Sequence, residues 1–351
     1  MKYWNKTLTE MDEYIPGEQP ANIDEYIKLN TNENPFPPSD SVLKAINSSL
    51  NANLRRYPDS KAQGVRELFA SQNGLSPDNI FIGNGSDEIF TLIFRGFIGK
   101  DGIAAFPYPS YSLYDTLAQG NGIKYEKINL DKDLNLDLDR FLEKKYDLVI
   151  IANPNNPTGT YTEVSAIKEF LQSYKGLLVV DEAYIDFCGG SSIDLVHEYD
   201  NVIITRSFSK SYSLAGLRVG IAIADKNIIK GLFKIKDSYN IDTLALAGAE
   251  AALLDTKSFN YNIRMLNSNK NYIEEKLTAM NFQIVPSKAN FIFVKHNKVD
   301  SKFIFNKLKE NRILVRHFSG SVQSQYIRIT IGTMMEIKKL CSTLESILAE
   351  E

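Results

Sequence analysis

An α/β fold, with a large unit built on a mostly parallel central sheet flanked by helices and a smaller α+β unit behind it, is predicted by three features of the sequence. Short runs that stay apolar on both faces recur at 103–106 (IAAF), 148–152 (LVIIA), 177–183 (LLVVDEA), 202–209 (VIITRSFS) and 219–224 (VGIAIA). Strands read this way when helices cover both sides of a parallel sheet. Helix-length amphipathic stretches accompany them at 61–71, 86–98, 162–175 and 226–236. The texture then changes after about residue 245. A long helical stretch over 242–280 is followed by strand-like 290–295, 312–317 and 326–331 and by a helix from 334, a pattern of a smaller unit folded against the first. Three parts result: an N-terminal arm over 1–30 with Pro16, Gly17 and Pro20, a large unit over 31–245 and a small unit over 246–351.

Of the 351 residues, 43% are apolar and 24% charged, which supports a packed enzyme core and excludes disorder. Forty basic against 43 acidic residues leave a net charge of −3, so no basic field recommends nucleic acid or an anionic membrane as a partner. Cys188 and Cys341 are too few for a disulfide framework, and three histidines make His-rich metal chemistry improbable. The start has no signal-like apolar core, and no stretch reaches membrane-spanning length. A cytoplasmic protein is expected.

Four motifs carry chemistry. GNGSDEI (83–89) follows strand-like IFI and opens an apolar-periodic helix, so Gly85 permits a tight turn and free N–H groups around Ser86 and Asp87 can hold a phosphate. A capped helix after a turn gives the same string, and the pattern is neither a dinucleotide fingerprint nor a P-loop. SFSKSYSLAGLRVG (207–220) sets Lys210 among hydroxyls, with Arg218 eight residues on. A lone lysine is nearly always a solvated charge. In an enclosed polar pocket, however, it can lose its proton and condense with an aldehyde while Ser207, Ser209 and Arg218 hold a phosphate.

VVDEAYIDF (179–187) runs an apolar strand into Asp181, with Tyr184 three residues on, at the carboxyl end where open α/β sheets place ligands. A buried Asp181 could keep a pyridine nitrogen protonated; a metal carboxylate or an ordinary strand end reads the same. NPNNPTG (153–159) forms a rigid turn whose Asn156 amide can reach a ligand, although as a turn it needs no function.

Together these motifs describe a pyridoxal 5'-phosphate site. Their order, GNGSDEI, YPSYSLY, NPNNPTG, VVDEAY and SFSKSYSLAGLRVG, resembles the fold-type I aminotransferases, and among them most closely the histidinol-phosphate aminotransferases, from YIPG (14–17) to RITIGT (328–333). The resemblance implies that Lys210 captures the cofactor aldehyde and shuttles a proton, with Asp181 and Tyr184 as its catalytic partners. It implies that Asp181 pairs with the ring nitrogen, that Asn156 and Tyr184 bond the ring 3-oxygen and that Tyr111 stacks on the ring. Gly85, Ser86, Asp87, Ser207, Ser209 and Arg218 would hold the phosphate.

For the substrate the resemblance implies Tyr14, Asn156, Tyr239, Arg316 and Arg328. An arginine in an apolar strand needs an anion, by itself an internal salt bridge as readily as a ligand. LNTNENPFPPS (29–39) and RRYPDS (55–60) match further segments, of which Tyr57 is implied to reach the partner subunit's cofactor, making a homodimer with shared sites. Ile221 and Ser60 depart from the family pattern at positions without a chemical role. The reaction implied converts histidinol phosphate and 2-oxoglutarate to imidazole acetol phosphate and glutamate. A threonine-phosphate decarboxylase and an aromatic amino-acid aminotransferase are the alternatives; a transcription regulator with such a domain would carry a DNA-binding unit as well.

Overall fold

The computed structural model describes residues 2–11 and 13–350. Its largest sheet has seven strands in the order Ile80–Asn84, Val219–Ala224, Val202–Ser207, Leu177–Asp181, Leu148–Ala152, Ile103–Tyr108 and Lys124–Asn129. The last five are parallel to one another, and Val219–Ala224 is antiparallel to both of its neighbours. The reversal has a simple cause. A parallel return needs a crossover of a dozen or more residues, and the connection 208–218 is too short for one. That short turn carries Lys210 and Arg218.

The apolar runs are strands buried on both faces. Along Leu148–Ala152, Val149 and Ile151 enter one hydrophobic cluster, while Leu148 and Ile150 enter the cluster on the opposite face. Val180 and Ile204 join the first, and Val179 and Ile203 the second. Alternation of successive side chains across the pleat requires this division. The register sets Ala152 opposite Asp181 and Asp181 opposite Thr205, so the segments bearing Asn156, Asp181 and Lys210 leave the sheet side by side.

Beyond Ala224 the chain builds a four-stranded antiparallel sheet in the order Arg316–His317, Ile327–Thr330, Phe291–His296 and Phe282–Val285. Its core collects Leu266, Ile273, Phe291, Ile327, Ile329 and Ile337. Several expectations are refined. The stretch 242–280 is two helices, Thr243–Leu254 and Thr256–Ala279, because Asp255 closes one and caps the other, its carboxylate accepting from Ser258 N at 3.1 Å. The run 312–317 splits: Ile313–Leu314 pairs with Ile27–Lys28 of the arm, and only Arg316–His317 joins the four-stranded sheet.

Strand Lys124–Asn129 and helices Asp40–Ser49 and Leu113–Gly120 were not anticipated. Among the described residues no helix is long and apolar enough to cross a membrane, and Cys188 and Cys341 are free thiols.

Candidate active site

At the carboxyl ends of the parallel strands lies a cavity of about 640 Å³. Its wall brings together Tyr14, Ser86, Asp87, Tyr111, Asn156, Asp181, Tyr184, Ser207, Ser209, Lys210, Arg218, Arg316 and Arg328. Gly85 stands directly behind Arg218. Tyr57 and Tyr239 do not line this chain's cavity. They stack on each other at the surface, centroids 4.3 Å apart, with Tyr57 80% exposed.

One end of the cavity is an anion cradle. Helix Gly85–Gly96 starts directly from strand Ile80–Asn84, and Gly85 takes φ +72°, where a side chain would be strained. A Cβ there would come within 2.6 Å of the Arg218 guanidinium, and one on Gly220 within 2.4 Å of Ser86 N. The two glycines thus let the helix start, the reversed strand and Arg218 converge. Arg218 pairs with Asp87 at 3.0 Å and donates to Ser209 Oγ at 3.4 Å; Ser209 N donates to Ser207 Oγ at 3.1 Å. Free N–H groups, hydroxyls and a guanidinium around one helix N-terminus suit a phosphate.

Asp181 is buried on the floor, and both of its oxygens are engaged. Tyr114 donates to Oδ2 at 2.7 Å, while Ala183 N at 3.1 Å and Thr205 Oγ1 at 3.3 Å donate to Oδ1. Burial pushes its pKa up, and these three donors oppose the shift. Lys210 donates to Thr31 O at 3.2 Å, and among the described residues no carboxylate lies within ion-pair distance of it. Burial first and the positive charge of Arg328 next hold its pKa at about 8, against the pull of Glu33 and Asp87. A neutral amine, the nucleophilic form, is thereby accessible near neutrality.

Tyr184 accepts from Asn32 Nδ2 at 2.9 Å, and burial lifts its pKa to about 12 against the pull of Arg328 and Asn32. Tyr111 meets Tyr14 and Tyr114 edge to face at 6.1 and 5.6 Å.

The roof comes from the four-stranded sheet and the arm. Arg328 is 7% exposed, donates to Asn156 Oδ1 at 2.5 Å and Asn30 O at 2.7 Å, and leaves its buried Nε without a partner. Burial, above all, lowers its pKa to about 10. Arg316 stands directly opposite it across the strand pair and donates to the carbonyls of Ile15 and Pro16 at 3.0 Å each. Neither forms an ion pair among the described residues. Two facing cations that meet only neutral oxygens and the faces of Phe291 and Phe318 lack a compensating negative charge, so the arrangement is suited to binding anions.

These observations match the needs of pyridoxal phosphate: an amine of lowered pKa, a buried carboxylate, a phosphate cradle and an aromatic wall. Sequence reasoning overlooked Tyr114, Thr205, Thr31, Asn30, Asn32 and Glu33. Tyr114 had a signal, since it lies in the same YPSYSLY string as Tyr111, at the start of helix Leu113–Gly120. Asn30 and Asn32 stood inside the quoted LNTNEN string without an assigned role.

The family description "Aminotransferase class I and II" matches residues 24–344, and the chain belongs to that family. It is 42% identical to a histidinol-phosphate aminotransferase of Clostridium beijerinckii over 99% of this chain and 98% of that protein. It is 40% identical to one of Pseudomonas entomophila over 95% of this chain and 96% of that protein. Among solved structures, histidinol-phosphate aminotransferase from Sinorhizobium meliloti in complex with pyridoxal-5'-phosphate superposes with a TM-score of 0.91. That likeness, at 24% identity, covers 100% of this chain and 98% of the other and shows a shared fold. The expected type I fold is therefore present.

Proposed function

We propose that this chain is a pyridoxal phosphate-dependent aminotransferase that exchanges an amino group between histidinol phosphate and 2-oxoglutarate, giving imidazole acetol phosphate and glutamate. The carrying observation is the pair Arg316 and Arg328: two cations without a carboxylate partner facing the cavity that contains Lys210. When bound, pyridoxal phosphate supplies an aldehyde that takes up amines and a ring that delocalises the electron pair of a broken Cα–H bond.

Gly85, Ser86, Asp87, Ser207, Ser209 and Arg218 would hold its phosphate, with Tyr111 against the ring. Asp181 would face the ring nitrogen, and Asn156 and Tyr184 the ring oxygen. Lys210 Nζ would hold the aldehyde and would carry the proton at the substrate's α-carbon. Arg328 binds the α-carboxylate of glutamate. Arg316, with Tyr14, serves the second acidic group, so glutamate and the phosphorylated imidazole amino alcohol occupy one roof in turn.

The reading also includes a homodimer in a cytoplasmic setting. The exposed Tyr57–Tyr239 stack is suited to completing a partner's site. It includes the division into an arm over 1–30, a cofactor-holding unit over 31–245 and a smaller unit over 246–351. The test is an acceptor panel with glutamate as donor. Imidazole acetol phosphate should exceed phenylpyruvate in kcat/KM by about tenfold or more, the scale of one good substrate contact. Equal rates, or carbon dioxide release from phosphothreonine, would overturn the substrate assignment.

A further inference from the structure

Asp181 ends one strand opposite Thr205 of the next, whose following turn carries Lys210, and the charged residues after Asp181 and Thr205 lie away from the cavity. Glu182 follows Asp181, and its N–H donates to Thr205 O at 2.8 Å. Arg206 follows Thr205, whose hydroxyl serves Asp181. These two neighbours meet: Arg206 Nε lies 3.3 Å from Glu182 Oε2, and the Glu182 side chain is fully buried. Ser191 Oγ at 2.6 Å and Ser192 N at 2.5 Å complete the donors to Glu182, and Arg206 Nη2 donates to Ser191 Oγ at 2.7 Å. Arg206 Nη1 also lies 3.7 Å from Asp186 Oδ1. Asp186 Oδ2 in turn accepts from the hydroxyl of Ser211, the residue after Lys210, at 2.5 Å.

The chain of contacts thus begins one residue after Asp181 and ends one residue after Lys210. None of Glu182, Arg206, Asp186 and Ser211 lines the cavity. A buried ion pair is weak support for stability, because an apolar substitute of similar volume often serves as well. Placement is a different matter, since an error of about 1 Å between reacting groups can cost on the order of a hundredfold in rate. We propose that Glu182, Arg206, Asp186 and Ser211 form a positioning clasp that fixes the Lys210 amine relative to the Asp181 carboxylate. The inference rests on the role of Lys210 given above.

Ser211→Ala tests it gently, deleting one hydroxyl at a site 1% exposed. Cofactor-free protein is mixed with pyridoxal phosphate, and the rate of capture is followed by absorbance alongside kcat, KM for glutamate and Tm. Capture and kcat should each fall about tenfold while KM stays within about twofold, the pattern of misplaced chemistry rather than lost binding. Ser211→Thr should restore both, and Glu182→Gln should move them the same way. Wild-type capture and kcat in Ser211→Ala would overturn the clasp, as would losses that merely follow the unfolded fraction. Absence of capture by the unmutated protein would instead overturn the cofactor reading, so the two failures are distinct.

Discussion

The floor and the roof of the cavity are both rich in charge, yet they are finished differently. On the floor, Asp181 is surrounded by donors from this chain, and Arg218 already has Asp87. On the roof, Arg316 and Arg328 have carbonyl and amide oxygens and the rings of Phe291 and Phe318 but, among the described residues, no carboxylate, and Arg328 Nε has no hydrogen-bond partner. Charges complete within the fold can hold a resident group through every turnover. Charges left incomplete are suited to ligands that come and go, because each arriving anion gains what the protein withholds.

Lys210→Ala strikes the floor hardest. Turnover should fall by on the order of 10⁴-fold or more through loss of both nucleophile and proton carrier. Borohydride should no longer fix pyridoxal phosphate to the chain; a label on another lysine in the unmutated protein would reassign the amine. Arg328→Ala strikes the roof and should raise KM for glutamate on the order of a hundredfold, as expected for losing a buried charge-assisted pair. Its capture of pyridoxal phosphate should persist, and loss of both together would erase the distinction between floor and roof.

The smallest effect is one of pH. With the amine pKa brought down to about 8, the neutral form grows as pH rises through 8 rather than near 10.5. Capture by cofactor-free protein should therefore climb about tenfold per pH unit below 8 and level off above it, since only the unprotonated amine attacks. Arg328→Ala removes a nearby positive charge, so its profile should move to higher pH. An unmoved profile would uncouple roof from floor.

Most of the floor was legible because its groups sit in short contiguous strings at strand ends, where burial on both faces and a following turn leave a clear pattern. Tyr114 and Thr205 were not, because a side chain that supports Asp181 from a neighbouring helix or strand shows no local sign of doing so. Strand Lys124–Asn129 escaped for a related reason. It is the edge of the sheet, none of its residues is fully buried, and KYEKIN carries too little apolar patterning to announce a strand.

The sequence by itself determined the sheet of doubly buried strands, the helix start at Gly85 and the lysine in its hydroxyl-rich turn, since each follows from local periodicity, glycine freedom or short-range spacing. Only the tertiary structure decided that Arg316 and Arg328 face each other over Lys210, that Thr31 O holds the Lys210 amine, and that Glu182 turns away from Asp181 toward Arg206. Those facts depend on which segments, up to nearly 300 residues apart in the case of Asn30 and Arg328, are brought into contact when the cores close.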